Sequence, residues 1–451
     1  MPKRSKSAQA KPRLREPERQ QLEFRSYNLD SLLDDDHRAR LMWAAVERLD
    51  LSSFYEEIAA RGSHPGRPAT DPKVLLTLWL YATSEGVGSA RHLARLCERD
   101  NVYRWICGGL SMNHHTLADF RVAHGDKLDE LLTQLLGTLM HQGLVEIHRV
   151  AQDGVRVRAS AGAASFHRKS TLNKSLRRAR RQVRELRQEL KEDPGASDAR
   201  ERAAKVRGAR EREAALKRAL AEMKELERQR CPKKPDSKKK SASKKKSDSK
   251  KKSDSKKKKK KKELRVSSTD PEARVMKMGD GGFRPAYNLQ FAVDTSSRFI
   301  VGVGVCNIGS DKAQMRPMAE EVEARTGKRA KEWLVDGGFV KLEAIDEMEA
   351  KDIRVYAPVP EPRDKNTDRY ARKKDDTDRT YAWRQRMKTE EAKVLYRQRA
   401  ATAETVNGDL RAWRGLRLLP VRGQTKVRGL ALLQALTYNL LRWMSLEGAT
   451  A

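Results

Sequence analysis

At 451 residues the chain is longer than one hydrophobic core ordinarily holds, so two or three domains are expected. Lys and Arg outnumber Asp and Glu by 96 to 62, and a net charge of +34 leaves few large partners other than a polyanion, with nucleic acid first and an anionic membrane surface second. The four cysteines contain no C-x-x-C pair, which argues against a zinc ribbon or disulfide scaffold. No apolar run approaches the ~20 residues of a membrane span, so a soluble intracellular protein is expected.

Residues 1–22 are basic and polar, the composition of a disordered tail. Residues 23–143 read as a helical domain: apolar residues recur at helical spacing over Leu41–Ala59, Asp71–Gly86, Ser89–Asp100, Thr116–Phe120 and Lys127–Gly143. Gly66-Arg67-Pro68 and Ser111–His115 read as loops between these helices. A metal at the adjacent His114 and His115 is disfavoured, because the two point to different sides of any regular element and no acid stands at ligand spacing. Arg91, His92 and Arg95 lie on one exposed stretch, and Arg67 sits in a loop suited to a minor groove. These residues are either DNA contacts or ordinary surface charge.

Ile147–Ala159 alternates as a half-buried strand, with Ile147, Ala151, Val155 and Val157 apolar and Asp153 on the same parity. A carboxylate aimed at the core needs a cation or a dense hydrogen-bond shell, which marks Asp153 as the first acid of a metal site, unless it merely starts a turn before Gly154. Leu172, Leu176, Ala179, Val183, Leu186 and Leu190 then step at coiled-coil spacing. A looser seam follows in Ala209, Leu216, Leu220 and Met223, so residues 170–232 read as an antiparallel helical hairpin. Residues 233–263 are a Lys-rich tract that no core can order, suited to binding nucleic acid without sequence preference. Residues 233 to 262 hold 18 Lys against 3 Asp, so +19 of the +34 remains elsewhere.

Strands are expected at Ala286–Thr295, Phe299–Cys306, Lys331–Val335 and Ile353–Ala357, helices at Asp311–Arg325 and Leu342–Ala350, and one long helix over Tyr381–Arg414. Without the insertion, the order is that of an RNase H-like α/β (mixed-sheet) domain formed by residues 144–169 and 264–414, followed by a helical segment at 415–451. Such a fold brings Asp153, Asp336 and Glu404 to one edge of the sheet. Three carboxylates so close would be neutralised by two Mg²⁺ or Mn²⁺ ions, a pair suited to phosphodiester chemistry. On an ideal helix Arg397 and Arg411 lie within about 20° of Glu404, beside the small Ala400, Ala401 and Gly408. The alternative is a solvated charged helix.

Tyr396-x2-Arg399-x4-Glu404-x6-Arg411 resembles the Tyr, Arg, Glu, Lys motif of the DDE transposases of bacterial insertion sequences, with Arg411 in place of Lys. Asp153–Ala159, Thr269–Lys277 and Val335–Phe339 are also similar to stretches of that family. The resemblance implies that Asp153, Asp336 and Glu404 are the metal-binding catalytic acids and that Tyr396, Arg399 and Arg411 assist on DNA. It implies double-stranded DNA partners, both the element's terminal inverted repeats and the target, and strand cleavage and transfer by a homodimer in the bacterial cytoplasm beside the nucleoid. A non-catalytic DNA-binding derivative and a nuclease that does not join strands are the alternatives.

Overall fold

The computed structural model describes residues 26, 28–61, 68–192, 199–230, 263–362, 364 and 366–450. Its first part is helical: α1 (Arg38–Glu47), α2 (Ser52–Glu56), α3 (Pro72–Ser84), α4 (Ala90–Arg99), α5 (Asn101–Cys107), α6 (His114–Ala123) and α7 (Gly125–His141). Side-chain caps set the starts. Asp71 accepts from the Lys73 N–H at 2.8 Å, with Pro72 in the first helical position, and Asp100 and Asn113 cap α5 and α6 at 2.9 Å. The expected Leu41–Ala59 helix is broken into α1 and α2. The expected Ser111–His115 loop is shorter, because Asn113 caps α6 and His114 and His115 form its first turn. Arg67 lies outside the described residues.

The strands are β1 (Arg149–Arg158), β2 (Phe166–His167), β3 (Val266–Ser267), β4 (Arg274–Lys277), β5 (Phe283–Asp294), β6 (Ile300–Cys306), β7 (Glu332–Leu334) and β8 (Arg354–Tyr356). Helices α8 (Lys169–Glu192) and α9 (Ala199–Arg230) lie between β2 and β3, α10 (Met315–Thr326) between β6 and β7, and α11 (Leu342–Glu349) between β7 and β8. The main sheet runs β6-β5-β1-β7-β8, with β4 sharing the β5 edge with β6. β1, β5 and β6 are antiparallel, whereas β7 and β8 continue parallel to β1. This is the mixed sheet of an RNase H-like domain, as the strand and helix order predicts.

The β1 strand differs from the half-buried one expected. It is the central strand, buried on both faces at Val150, Ala151 and Gln152, and Ile147 falls outside it at φ 59°. The alternative reading, in which Asp153 starts a turn before Gly154, does not hold, because the strand runs straight through Gly154. Glycine is required there for another reason: a Cβ would stand 2.6 Å from Asp311 Oδ1 and 2.4 Å from Gln290 Nε2. Asp311 does not open a helix as expected. It precedes α10, is buried, and accepts from Asn288 and Gln290 at 2.6 and 2.7 Å.

The β2–β3 ladder pairs Phe166 with Ser267 and His167 with Val266, so the chain leaves for the insertion and returns from it at adjacent points, leaving the main sheet undisturbed. The α8–α9 hairpin is antiparallel, as expected. Lys169 meets Glu227 at 2.7 Å and Arg180 meets Glu213 at 3.6 Å, with Leu172, Leu176 and Ala179 packed on Leu216, Ala219 and Met223. Asp193-Pro194-Gly195 and the Lys-rich residues 233–262 lie outside the described residues.

After β8 come α12 (Asp378–Lys388), α13 (Glu390–Arg399), a π-helical turn (Ala400–Glu404), α14 (Thr405–Ala412) and α15 (Gln424–Thr450). The single long helix expected over 381–414 is therefore corrected. Thr389 ends α12 in extended geometry and caps α13, and the π turn that ends at Glu404 interrupts the helix. Helix α15 packs on α3, α7 and β6, and Asn439 bonds both the N–H and C=O of Ile300 at 2.8 Å. One apolar core thus runs from the N-terminal helices into the sheet.

Candidate active site

The parallel register of β1 and β7 pairs Val150 with Trp333 and ends at Ala151 with Leu334; Asp153 lies two residues further on within β1, and Asp336 two residues past the end of β7. Equal advance past the last paired residues brings the two acids to the same end of neighbouring strands, close enough for the Asp336 charge to act on Asp153. Asp336 caps a short 3-10 turn, its Oδ1 accepting from the Gly338 N–H at 2.8 Å. A Cβ on Gly338 would stand 3.0 Å from Asp336 Oδ1, so the bare residue leaves room for this cap, and the chain turns directly after the strand with Asp336 at the sheet's carboxyl edge.

Glu404 arrives from the other side. The π turn that ends at Glu404 packs against β1 and β5. In an ideal α-helix, residues five apart point about 140° away from each other, but the wider π turn closes after about five residues. Arg399 and Glu404 therefore share a face and are hydrogen-bonded. The same guanidinium stands 3.8 Å from Asp153 Oδ1, and its side chain is 12% exposed. The arginine stripe expected from ideal helix geometry changes on one side only: the π turn intervenes between Arg397 and Glu404 and makes Arg399 the partner of Glu404, whereas Arg411 follows Glu404 along the regular α14, and both Arg397 and Arg411 are exposed. Ala400, Ala401 and Gly408 are exposed, so the surface beside Glu404 is low.

Asn407, one turn beyond Glu404, completes the cluster. Its Nδ2 donates to Asp153 Oδ2 at 3.1 Å, while its own Oδ1 is buried without a partner. The sequence reading missed this residue, although an amide between the buried Val406 and Leu410 was a usable sign. The polar layer behind β1 was missed as well. There Trp333 donates to Gln152 at 3.0 Å, Gln152 to Gln290 at 3.0 Å, and Gln290 to Asp311 at 2.7 Å. Arg149 braces the neighbouring elements, reaching Gln398 at 2.7 Å and Glu332 at 2.5 Å.

Burial pushes the Asp153 carboxyl above its ordinary range. Arg399, the Gly154 N–H and Asn407 oppose that rise, and the nearby Asp336 charge adds to it. The Tyr396 hydroxyl is likewise raised by burial, with Arg399 opposing and the Asp336 and Glu404 charges reinforcing. Asp153, Asp336 and Glu404 thus belong to one electrostatic cluster around Arg399 and Tyr396. Among the described residues, no three His, Cys, Asp or Glu side chains stand at metal-holding separation. The donor set nevertheless fits hard cations. All three acids offer oxygen, the orphaned Asn407 Oδ1 adds an acceptor, and a guanidinium already neutralises two of the carboxylates.

The raised Asp153 carboxyl has a consequence for stability. A carboxyl whose folded pKa exceeds its unfolded one contributes fully below the unfolded value, about pH 4, and that contribution is lost as pH rises through the folded value. Metal-free Asp153→Asn protein is therefore expected to melt above the parent at neutral pH, with the gap closing toward about pH 4. Thermal melts across that range measure it, and identical melting at every pH would contradict the assignment.

Of the residues expected to touch DNA in the helical region, the described ones sit together on α4. Arg91, His92 and Arg95 are exposed on α4. Arg91 and Arg95 line an open cleft with Glu98 and the Ser111–His114 segment that leads into α6. No helix among the described residues is long and apolar enough to cross a membrane.

Two family models match the chain. "Transposase domain (DUF772)" covers residues 27–123, and "Transposase DDE domain" covers residues 229–440. The second span includes Asp336, Tyr396, Arg399, Glu404 and Arg411 but not Asp153, whose strand is separated from it in sequence by the hairpin insertion. Neither a curated protein nor a solved structure matches the chain.

Proposed function

Because the chain belongs to the DDE transposases of insertion sequences, we propose that it binds the terminal inverted repeats of its own element, cleaves the DNA there, and joins the freed 3′-hydroxyl to target DNA. The observation that carries this reading is the placement of Asp153 on β1 and Asp336 just past the end of the neighbouring parallel β7, with the π turn that bears Glu404 packed against β1. Asp153, Asp336 and Glu404 would hold two Mg²⁺ or Mn²⁺ ions. Such ions supply an activated water or 3′-hydroxyl at neutral pH and neutralise the leaving oxygen. The Gly154 N–H, at 2.9 Å, and the Asn407 amide fix the Asp153 carboxylate, so it need not reorganise when DNA arrives. Tyr396, Arg397, Arg399 and Arg411 offer hydroxyl and guanidinium donors to the phosphates approaching that edge. Two protomers acting on paired ends complete the reading.

The test is a strand cleavage and joining assay on a labelled element end with Mg²⁺. Products joined through the element's 3′ end support the proposal. Hydrolysis without joining would indicate a nuclease, and DNA binding without either product a non-catalytic derivative.

Recognition of the ends is assigned to the helical region, with the Lys-rich tract adding affinity without selectivity. Because α15 covers α3 and α7, this region is tested in the full chain rather than as a fragment. Replacing Arg91 and Arg95 together by Ala is expected to reduce the preference for terminal repeats over scrambled duplex by about 10-fold or more, the loss of one or two base contacts. Footprinting that retained full preference would move recognition elsewhere, first to the α8–α9 hairpin.

A further inference from the structure

We propose that Arg399 is a positioning residue that holds the cation place of the acid cluster until DNA arrives, so that metal loading depends on DNA. The inference rests on the assignment of Asp153 and Glu404 as metal ligands. One guanidinium spans both acids: it is hydrogen-bonded to Glu404, and its Nη1 lies 3.8 Å from Asp153 Oδ1. A divalent ion shared by those carboxylates must take the space the guanidinium fills.

Three features make this more than an incidental ion pair. The π turn that presents Glu404 to the sheet is also what aligns Arg399 with it, so the two side chains are placed together by one local device. The Arg399 side chain is 12% exposed between the two acids, so leaving that place gives up both carboxylate contacts, and a new partner is needed to offset the loss. That partner must be an anion. A DNA phosphate is the one a planar guanidinium binds with two parallel hydrogen bonds. The Tyr396 ring, with its centroid 6.0 Å from the guanidinium carbon, gives the side chain a surface to lean on as it turns.

The exchange is therefore of ionic partners. Phosphate takes Arg399, and the freed carboxylates take metal. By linkage, DNA and metal must each strengthen the other's binding by one factor. A nuclease core that loads metal only on DNA avoids holding an armed site in its absence.

Mn²⁺ binding to the DNA-free full chain, followed by the electron paramagnetic resonance of the free ion, tests the proposal. Arg399→Gln is expected to bind Mn²⁺ about 10-fold more tightly than the parent, within the usual range of such couplings. Arg399→Lys, which keeps the charge but cannot span both acids, is expected to fall between them. Arg397→Gln, which removes an exposed neighbouring charge, is expected to match the parent. The gain should vanish in the Asp153→Asn, Arg399→Gln double variant. In a companion measurement, Ca²⁺ should tighten the parent's binding to a labelled duplex, read by anisotropy, and should do so less in Arg399→Gln.

Equal Mn²⁺ affinity in parent and Arg399→Gln, with Asp153→Asn weaker than both, would overturn the role of Arg399 and leave the metal-site assignment standing. Affinity unchanged in every variant, Asp153→Asn included, would overturn both. A gain in Arg397→Gln as large as in Arg399→Gln would reduce the effect to bulk charge and overturn the proposal.

Discussion

Replacing Asp153 by Ala is expected to slow strand cleavage by about 10³-fold or more, the roughly 4 kcal/mol that a metal-clamped transition state loses with a ligand. The same is expected of Asp336→Ala and Glu404→Ala. The double Asp153→Ala, Asp336→Ala variant should be little worse than either single one, because the acids act as a unit. Single-turnover cleavage of a labelled element end measures these losses, and anisotropy on the same DNA should show binding largely retained. Asp153→Asn adds an internal check. It should lose cleavage while gaining thermal stability at neutral pH, since burial raises that carboxyl and removing its charge relieves the fold. A variant that lost activity and stability together would indicate a structural acid instead.

The second large effect is expected far from the acids, at Gly415. This residue has φ 70°, and a Cβ on it would stand 2.6 Å from the backbone oxygen of Gly86, itself at φ 72°. No side-chain rotation relieves an overlap with backbone. Gly415→Ala combines left-handed strain of about 1–2 kcal/mol with overpacking of about 1–3 kcal/mol, so a loss near 3 kcal/mol is expected. Gly137→Ala is the control: it lies in α7 with nothing within 4 Å of its Cβ position, and should gain about 0.5–1 kcal/mol. Chemical denaturation of both variants measures the contrast.

The Gly86–Gly415 contact matters because it joins the end of α3 to the chain leaving α14, the helix that follows Glu404. Arg414 strengthens the junction by donating to Ser84 O at 2.6 Å. The contact therefore ties the helical region to the helix that follows Glu404. Gly415→Ala should reduce cleavage at temperatures where the protein remains folded.

The strand and helix order was legible because each strand has a short-range reason to form: apolar residues over β5 and β6, a Ser-Ser-Arg turn closed by Asp294 at 2.6 Å, and glycines after β7. The hairpin was legible from its heptad-like seam, which needs only the two helices themselves. What was not legible depends on partners distant in sequence. The central position of β1 buries Gln152 through Trp333 and Gln290, residues more than a hundred positions away, so alternation alone read the strand as half-buried. The reason for a glycine at 154 was not legible, because the approach of Asp311 and Gln290 cannot be inferred locally. The break at Thr389 and the π turn at Ala400–Glu404 also escaped a reading based on ideal helical spacing. Ideal spacing therefore puts Arg397 beside Glu404, where the structure places Arg399. Asn407 was missed for the same reason: its role is defined by Asp153, 254 positions earlier.

The most direct test of the three-acid metal site is the anomalous scattering of Mn²⁺ in crystals of the full chain bound to an element end. Two manganese peaks about 3.5–4 Å apart are expected between Asp153, Asp336 and Glu404, with carboxylate oxygens at about 2.1 Å from the ions. Manganese bound elsewhere, or carboxylates of the three acids more than about 12 Å apart in that complex, would contradict the assignment.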